Sequence, residues 1–181
     1  MHHKPLLSLL NQYGTRYPEE ADTVSEFINF VSSNANCFKR SLQIGHVTGS
    51  AWIIDRDGKN CLLIHHRKLD RWLQPGGHAD GCSDIPLVAR KEAEEETGLT
   101  SLEMAADAIF DIDIHTIPVR KNEPEHLHYD VRFLFTADRS ETVTESPEIK
   151  GISWKALSEA GKLVDSNDSI LRMIRKTNSF I

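Results

Sequence analysis

Apolar residues recur along the chain in two rhythms, and each change of rhythm marks a new element. Residues 6–13 and 21–31 follow the helical rhythm, the second through Val24, Phe27, Ile28 and Val31, with Gly14 and Pro18 between them. These helices are expected to form an N-terminal extension over residues 1–43, ahead of a main domain over 44–181. Residues 46–54 and 61–64 suit strands, and Asp55-Arg56-Asp57-Gly58-Lys59 carries turn chemistry between them, so a hairpin is predicted. Residues 73–81 hold Pro75, Gly76, Gly77 and Gly81 and are expected as an irregular loop. Asp84 suits the N-cap of a helix over 85–97, which Gly98 ends. Beyond it, 109–114 and 127–136 read as strands and 152–154 as a short strand, while 156–160 and 169–176 read as helices. Interleaved strands and helices predict one α/β (α+β) unit.

Composition narrows the function classes. The chain has 181 residues and 20.5 kDa, with 39% hydrophobic and 27% charged residues, as in ordinary globular proteins. No apolar run approaches the roughly 18 residues of a membrane span, and the start Met1-His2-His3-Lys4-Pro5 lacks a secretory pattern, so a cytoplasmic location is expected. Cys37, Cys61 and Cys82 are widely spaced with no CxxC pair, which suits a reducing compartment and opposes a thiolate zinc site. A net charge of -6 argues against binding to nucleic acid duplexes. It still admits a small phosphate-containing substrate, provided a divalent cation lies between the charges. A homodimer is left open.

The 85–97 helix is where pattern turns into chemistry. Ile85, Val88 and Ala89 share one face, and at about 100° per residue that face continues to Glu92, Glu95 and Glu96, with Glu94 opposite. A solvated acidic face would lie opposite the apolar stripe rather than prolong it. Carboxylates at these spacings repel by about 0.2–0.5 kcal/mol per exposed pair. A hard cation among them, Mg2+ or Mn2+, resolves the repulsion.

Gly77, followed by Lys91-Glu92-Ala93-Glu94-Glu95-Glu96-Thr97-Gly98-Leu99, resembles the Nudix box of MutT-like hydrolases, G-x5-E-x7-R-E-U-x-E-E-x-G-U with U aliphatic, over 23 residues without a gap. The resemblance covers roughly 44–165 and implies a Nudix-type α/β/α sandwich with a mixed sheet. It further implies Mg2+- or Mn2+-dependent hydrolysis of a diphosphate linked to another moiety, by water attack on phosphorus. Carried over by position, Glu95 and Glu96 would be metal ligands, Glu92 a ligand or the base, and the Gly76 carbonyl a further oxygen. Lys91 stands at the box arginine and keeps its charge without its fork, and Ser83 stands at the first glutamate. Asp84, about 20° from Glu95 on the helical wheel, could perform part of the missing glutamate's work. A glutamate on the loop before Trp154, Glu145 or Glu148, is the alternative base.

The chain has nine histidines. His126 and His128 share a strand face that Asp130 continues. The segment from His46 through Ser50 to Trp52 is similar to the opening strand of type I isopentenyl diphosphate isomerases, which share the Nudix fold. Gly76-Gly77-His78 resembles their Cys-Gly-His, and His126-x-His128 occupies the place of their Glu-x-Glu. That resemblance implies that His46, His78, His126 and His128 hold a second, transition metal (Zn2+, Mn2+, Fe2+ or Ni2+); contact with substrate phosphate or solvent is the alternative. Gly76 replaces the isomerase cysteine, which opposes isomerisation. His66 and Arg67 suit either a clamp on the substrate phosphates, with Gly77 near it, or a solvated strand end. Trp72 and Phe133 suit either base stacking or the core, and Asp111 and Asp113 the polar face of a strand. Three readings follow: a Nudix hydrolase, a non-catalytic module binding a nucleotide or metabolite, and an isomerase-like enzyme. Nucleoside triphosphates, ADP-ribose, dinucleoside polyphosphates and nucleotide sugars all fit the first.

Overall fold

The structure, a computed structural model, describes residues 2–119, 124–163 and 167–180; the last positions of the Nudix resemblance, 164 and 165, lie outside them. Two helices, α1 (Lys4–Arg16) and α2 (Ala21–Ser33), are joined by a 3-10 turn at Pro18–Glu20. Then follow β1 (Gly45–Asp55), β2 (Asn60–His66), β3 (Arg71–Leu73), β4 (Gly76–His78) and α3 (Ile85–Thr97). The chain continues through β5 (Glu103–Met104), β6 (Asp111–Ile117), β7 (His126–Ala137), β8 (Ile149–Ala156), α4 (Leu157–Leu163) and α5 (Asp168–Phe180). The strands form one mixed sheet of eight, with β1 parallel to β7 and the other pairs antiparallel.

The sheet forks. β1 and β2 share only the pairs Ile53–Leu62 and Ile54–Cys61, after which β1 takes β4 as neighbour while β2 takes β3. β4 therefore corrects the expectation of an irregular 73–81 loop. Pro75 contributes no donor, but its carbonyl accepts from the Ala51 amide at 2.9 Å, and the glycines after it let the strand press against β1. β3 and the two-residue β5 are too short for any periodicity to reveal. β6 begins two residues later than expected and β8 three residues earlier, the usual uncertainty of strand ends.

One face of the sheet is apolar throughout. Val47, Ala51 and Ile53 of β1 and Tyr129, Val131, Phe133 and Phe135 of β7 pack there with Ile85, Val88, Ala89 and Ala93 of α3. Phe133 is thus core rather than a stacking platform. The N-terminal helices share this cluster through Leu6, Leu10, Phe27 and Phe30, and Phe30 stacks on Tyr129 at 3.7 Å. Such an aromatic pair adds about 0.5–1.5 kcal/mol beyond burial.

The other face changes character along its length. Trp52, Ile54 and Leu134 lie beneath α4 and α5 with Ile170 and Met173, and the Trp52 indole donates to Thr177 Oγ1 at 2.8 Å. Further along, the same side-chain row becomes Ser50, Thr48 and His46 on β1 and Arg132, Asp130, His128 and His126 on β7. β6 adds Asp111, Asp113 and His115, paired across to Arg132, Asp130 and His128. Asp111 lies on the polar face of its strand, as expected, but fully buried there. It accepts from Arg132 Nη1 at 2.9 Å, Arg172 Nε at 2.8 Å and Lys176 Nζ at 2.6 Å, so α5 is pinned to the sheet by charge as well as by packing. Lys176 also bonds Tyr13 and Glu20, drawing the N-terminal helices to the same point.

Candidate functional site

Asp84 caps α3: its Oδ1 accepts the Leu87 amide at 3.2 Å. From there to Glu95 is 11 residues, or about 16 Å of helix rise, so Asp84 does not share the work of the acidic end and that expectation is corrected. The apolar stripe of α3 does run into Glu92 and Glu96, as the wheel predicted. Glu96 is only 8% exposed and accepts the Gly76 amide at 2.9 Å; Glu92 is half-buried and Glu95 exposed. The double glycine is required by proximity. A Cβ at Gly77 would lie 2.3 Å from Glu92 Oε2, and one at Gly76 would lie 2.2 Å from Ser50 Oγ and 2.8 Å from its Cα.

Crowding of like charges away from water shows in the acidities. Burial, with smaller pushes from Glu92, Glu148 and Glu95, raises the Glu96 carboxyl to about 7 against the opposing Gly76 hydrogen bond. Burial raises Glu92 too, followed by the charges of Glu95, Asp80 and Glu148, while Lys91 opposes the rise. A set of strained oxygens that a cation would relieve, with no soft ligand among them, fits Mg2+ or Mn2+.

Of the other expected residues, Glu148 sits on an exposed loop close enough for its charge to reach both Glu92 and Glu96. Arg67 holds that loop: its Nε donates to the Pro147 carbonyl at 3.0 Å and its Nη2 to the Ile149 carbonyl at 2.8 Å. The fork expected on phosphate is engaged with main chain. His66 Nδ1 accepts the Leu69 amide at 3.1 Å and shapes the turn into β3. Lys91 is exposed, and its neighbour Arg90 pairs with Glu94 on the outer face.

The imidazoles gather on the polar side of the sheet. Ring centres of His46 lie 5.0 Å from His78, 5.0 Å from His126 and 4.8 Å from His128. His115 lies 5.4 Å from His128 and was missed by sequence reading, although its spacing from Asp113 puts both on one face of β6. Among the described residues, neither ring nitrogen of the buried His46, nor Nε2 of His128, has a hydrogen-bond partner. The Leu42 main chain approaches the His46 ring and opposes the fall in its pKa, but outside hydrogen-bond geometry. Burial, then the neighbouring His78 and His126, lowers His46 to about 4; burial, then His78 and His115, lowers His128 to about 2. The rest of the row is satisfied. Asp130 accepts from Thr48 and Ser50 at 2.8 Å each and from Arg132 at 2.8 Å.

β4 lies between the two clusters. Gly77 faces Glu92, Gly76 hands its amide to Glu96, and His78 projects to the histidines. Asp80, paired to Arg40, is felt by Glu92 on one side and feels His78 and His46 on the other. Among the described residues, no helix is long and apolar enough to cross a membrane.

Comparison with known proteins agrees with this geometry. Solved structures with a similar fold include an Ap4A hydrolase from C. elegans in a binary complex, 22% identical, with a TM-score of 0.60 over 74% of this chain and 96% of that one. A NUDIX-family hydrolase from Clostridium perfringens is 22% identical, with a TM-score of 0.56 over 75% of this chain and 98% of that one. The dihydroneopterin triphosphate pyrophosphohydrolase of E. coli is 16% identical, with a TM-score of 0.56 over 74% and 95%. At such identities the likeness is one of fold. A search of curated proteins gave no match. The NUDIX domain model matches residues 46–175, which span the carboxylate helix, both clusters and all of the sheet but Gly45. The chain therefore belongs to the Nudix family of pyrophosphohydrolases, enzymes that act on acid anhydrides.

Proposed function

We propose that the protein hydrolyses a diphosphate joined to a nucleoside or related moiety, at the end of α3 beside β4. The observation that carries this reading is the inward carboxylate pair, Glu92 and Glu96, set against a double glycine: the Gly76 amide donates to Glu96, and a Cβ at Gly77 would displace the Glu92 carboxylate. Glu95 and Glu96 would hold Mg2+ or Mn2+, with the Gly76 carbonyl beside them, while Glu92 serves as the base. When bound, such an ion offsets phosphate charge and makes water more acidic.

The chain's own groups supply the rest. Glu96 is fixed by the Gly76 amide, so its second oxygen is free for a ligand. Glu92, its acidity weakened by burial, accepts the proton of the attacking water at its carboxylate. Glu148 is the competing base, carried on the loop that Arg67 secures. Lys91 lessens the repulsion at Glu92. Ap4A and dihydroneopterin triphosphate, named for two of the similar structures, share a polyphosphate attached to a base-bearing group and define the substrate class to test.

Isomerisation fits poorly, because a cysteine at position 76 would collide with Ser50. The experiment is a panel of nucleoside triphosphates, dinucleoside polyphosphates, ADP-ribose and nucleotide sugars, with Mg2+ or Mn2+ and product analysis. Metal-dependent cleavage of an anhydride in at least one compound supports the proposal. Tight binding without turnover across the panel would favour the non-catalytic module.

A further inference from the structure

The polar face of the sheet is bonded group by group until it reaches the histidines. Asp130 is saturated by Thr48, Ser50 and Arg132, and Asp111 by two arginines and a lysine. Yet His46, 2% exposed, has both ring nitrogens unpartnered, and His128 Nε2 beside it is unpartnered as well. A buried polar group left unmade costs about 1–3 kcal/mol, so the arrangement is paid for by something it receives.

We propose that His46, His78 and His128 form a binding site for one late first-row transition-metal ion, distinct from the carboxylate cluster on α3. One nitrogen from each of the three lies within 4.8 Å of the others. Nitrogens about 2.0–2.1 Å from a zinc ion stand about 3.4 Å apart in a tetrahedral site, so side-chain rotations of about an ångström close the set. The three come from β1, β4 and β7, adjacent strands whose register puts His46 opposite His128 and His78 opposite Thr48.

Two further histidines flank the set with one nitrogen already held. His126 Nδ1 lies 2.9 Å from the Pro124 carbonyl, and His115 Nδ1 lies 3.1 Å from Asp113 Oδ2. A proton on Nδ1 in each case leaves Nε2 as a lone-pair donor, the carboxylate- or carbonyl-held arrangement usual for metal-ligating histidines. His126 is the natural fourth ligand, 5.0 Å ring to ring from His46. Neutral imidazoles favour Zn2+, Co2+ or Ni2+ over Mg2+, which prefers oxygen.

The test reads metal binding rather than turnover, so its failure is separable from failure of the hydrolase reading. Protein made without a histidine tag, with His2 and His3 replaced by Ala, is stripped by chelation and titrated with Co2+ in excess Mg2+. Visible d–d absorption reports the site. The expected result is about one equivalent per chain, weakened at least about tenfold in His78→Ala and in His128→Ala, each checked by circular dichroism for fold. Glu95→Gln, on the exposed side of α3, should bind Co2+ like the parent. The inference is overturned if the parent binds no Co2+, if both folded histidine variants bind as the parent does, or if Glu95→Gln abolishes binding.

Discussion

A methyl group at Gly77 would stand 2.3 Å from the Glu92 carboxylate, and one at Gly76 would meet Ser50 from Oγ to main chain. Gly77→Ala should therefore displace the carboxylate more than the fold, lowering kcat by about tenfold or more, whereas Gly76→Ala should cost about 1–3 kcal/mol of stability as β4 is pushed off β1. Thermal melting and steady-state kinetics on the same preparations separate the two effects. Glu96→Gln keeps an acceptor for the Gly76 amide but loses the charge, and should cut kcat by about two orders of magnitude with little change in melting temperature. Several placements at this scale were legible: helical phase put Glu92 and Glu96 on the inward side of α3, and the resemblance to the Nudix box singled out the glycines before it. Arg67 was not, because its partners are main-chain carbonyls some 80 residues away and leave no mark in local sequence. His115 was legible only once β6 was known to pair with β7.

α3 divides its labours along its length. Asp84 stops the first turn from fraying, the middle packs on β1, and the last turn presents the carboxylates. Asp84→Ala should lower stability by about 1 kcal/mol, the usual value of a lost N-cap, and leave kcat unchanged once the protein is folded. A large kcat loss at full folding would restore Asp84 to the acidic site. The start and stop of this helix were readable because capping chemistry is local: Asp84 before it and Gly98, at φ 72°, after it. The long strands were readable by their apolar runs. The fork between β1 and β2 was not, since it depends on β3 and β4, three residues each, finding different neighbours.

Over the whole molecule, the termini converge on one buried charge. Asp111 faces Arg132 from β7 and Arg172 and Lys176 from α5, and Lys176 in turn holds Tyr13 of α1 and Glu20 of the following turn. Asp111→Ala removes the fully buried anion that the three cations share, leaving Arg132 to Asp113 and Asp130, Arg172 to Asp113 and Lys176 to Glu20, and should destabilise by about 3 kcal/mol, the lower end for a broken buried pair, measured by denaturant unfolding at neutral pH. The Asp111 carboxyl is held below the ordinary range: burial pushes it up, but the hydrogen bonds of Arg172 and the charges of Arg132 and Lys176 outweigh that. A depressed folded-state acidity contributes stability above the unfolded value, about 3.9, and that contribution is lost as pH falls through the folded value. The parent should thus lose more stability than Asp111→Asn between pH 5 and lower pH, by circular dichroism. None of this was visible in sequence, where Asp111 and Asp113 alternate with isoleucines as any half-exposed strand does.

The central claim is that water, assisted by the α3 carboxylates and a divalent ion, breaks a phosphoanhydride bond. It is tested most directly by turnover of the best panel substrate in 18O-enriched water, with and without Mg2+, followed by mass spectrometry of the products. The expected result is one 18O in a phosphate product, formed only when the ion is present and lost in Glu96→Gln. Cleavage that survives chelation, or that leaves every phosphate unlabelled, would contradict it.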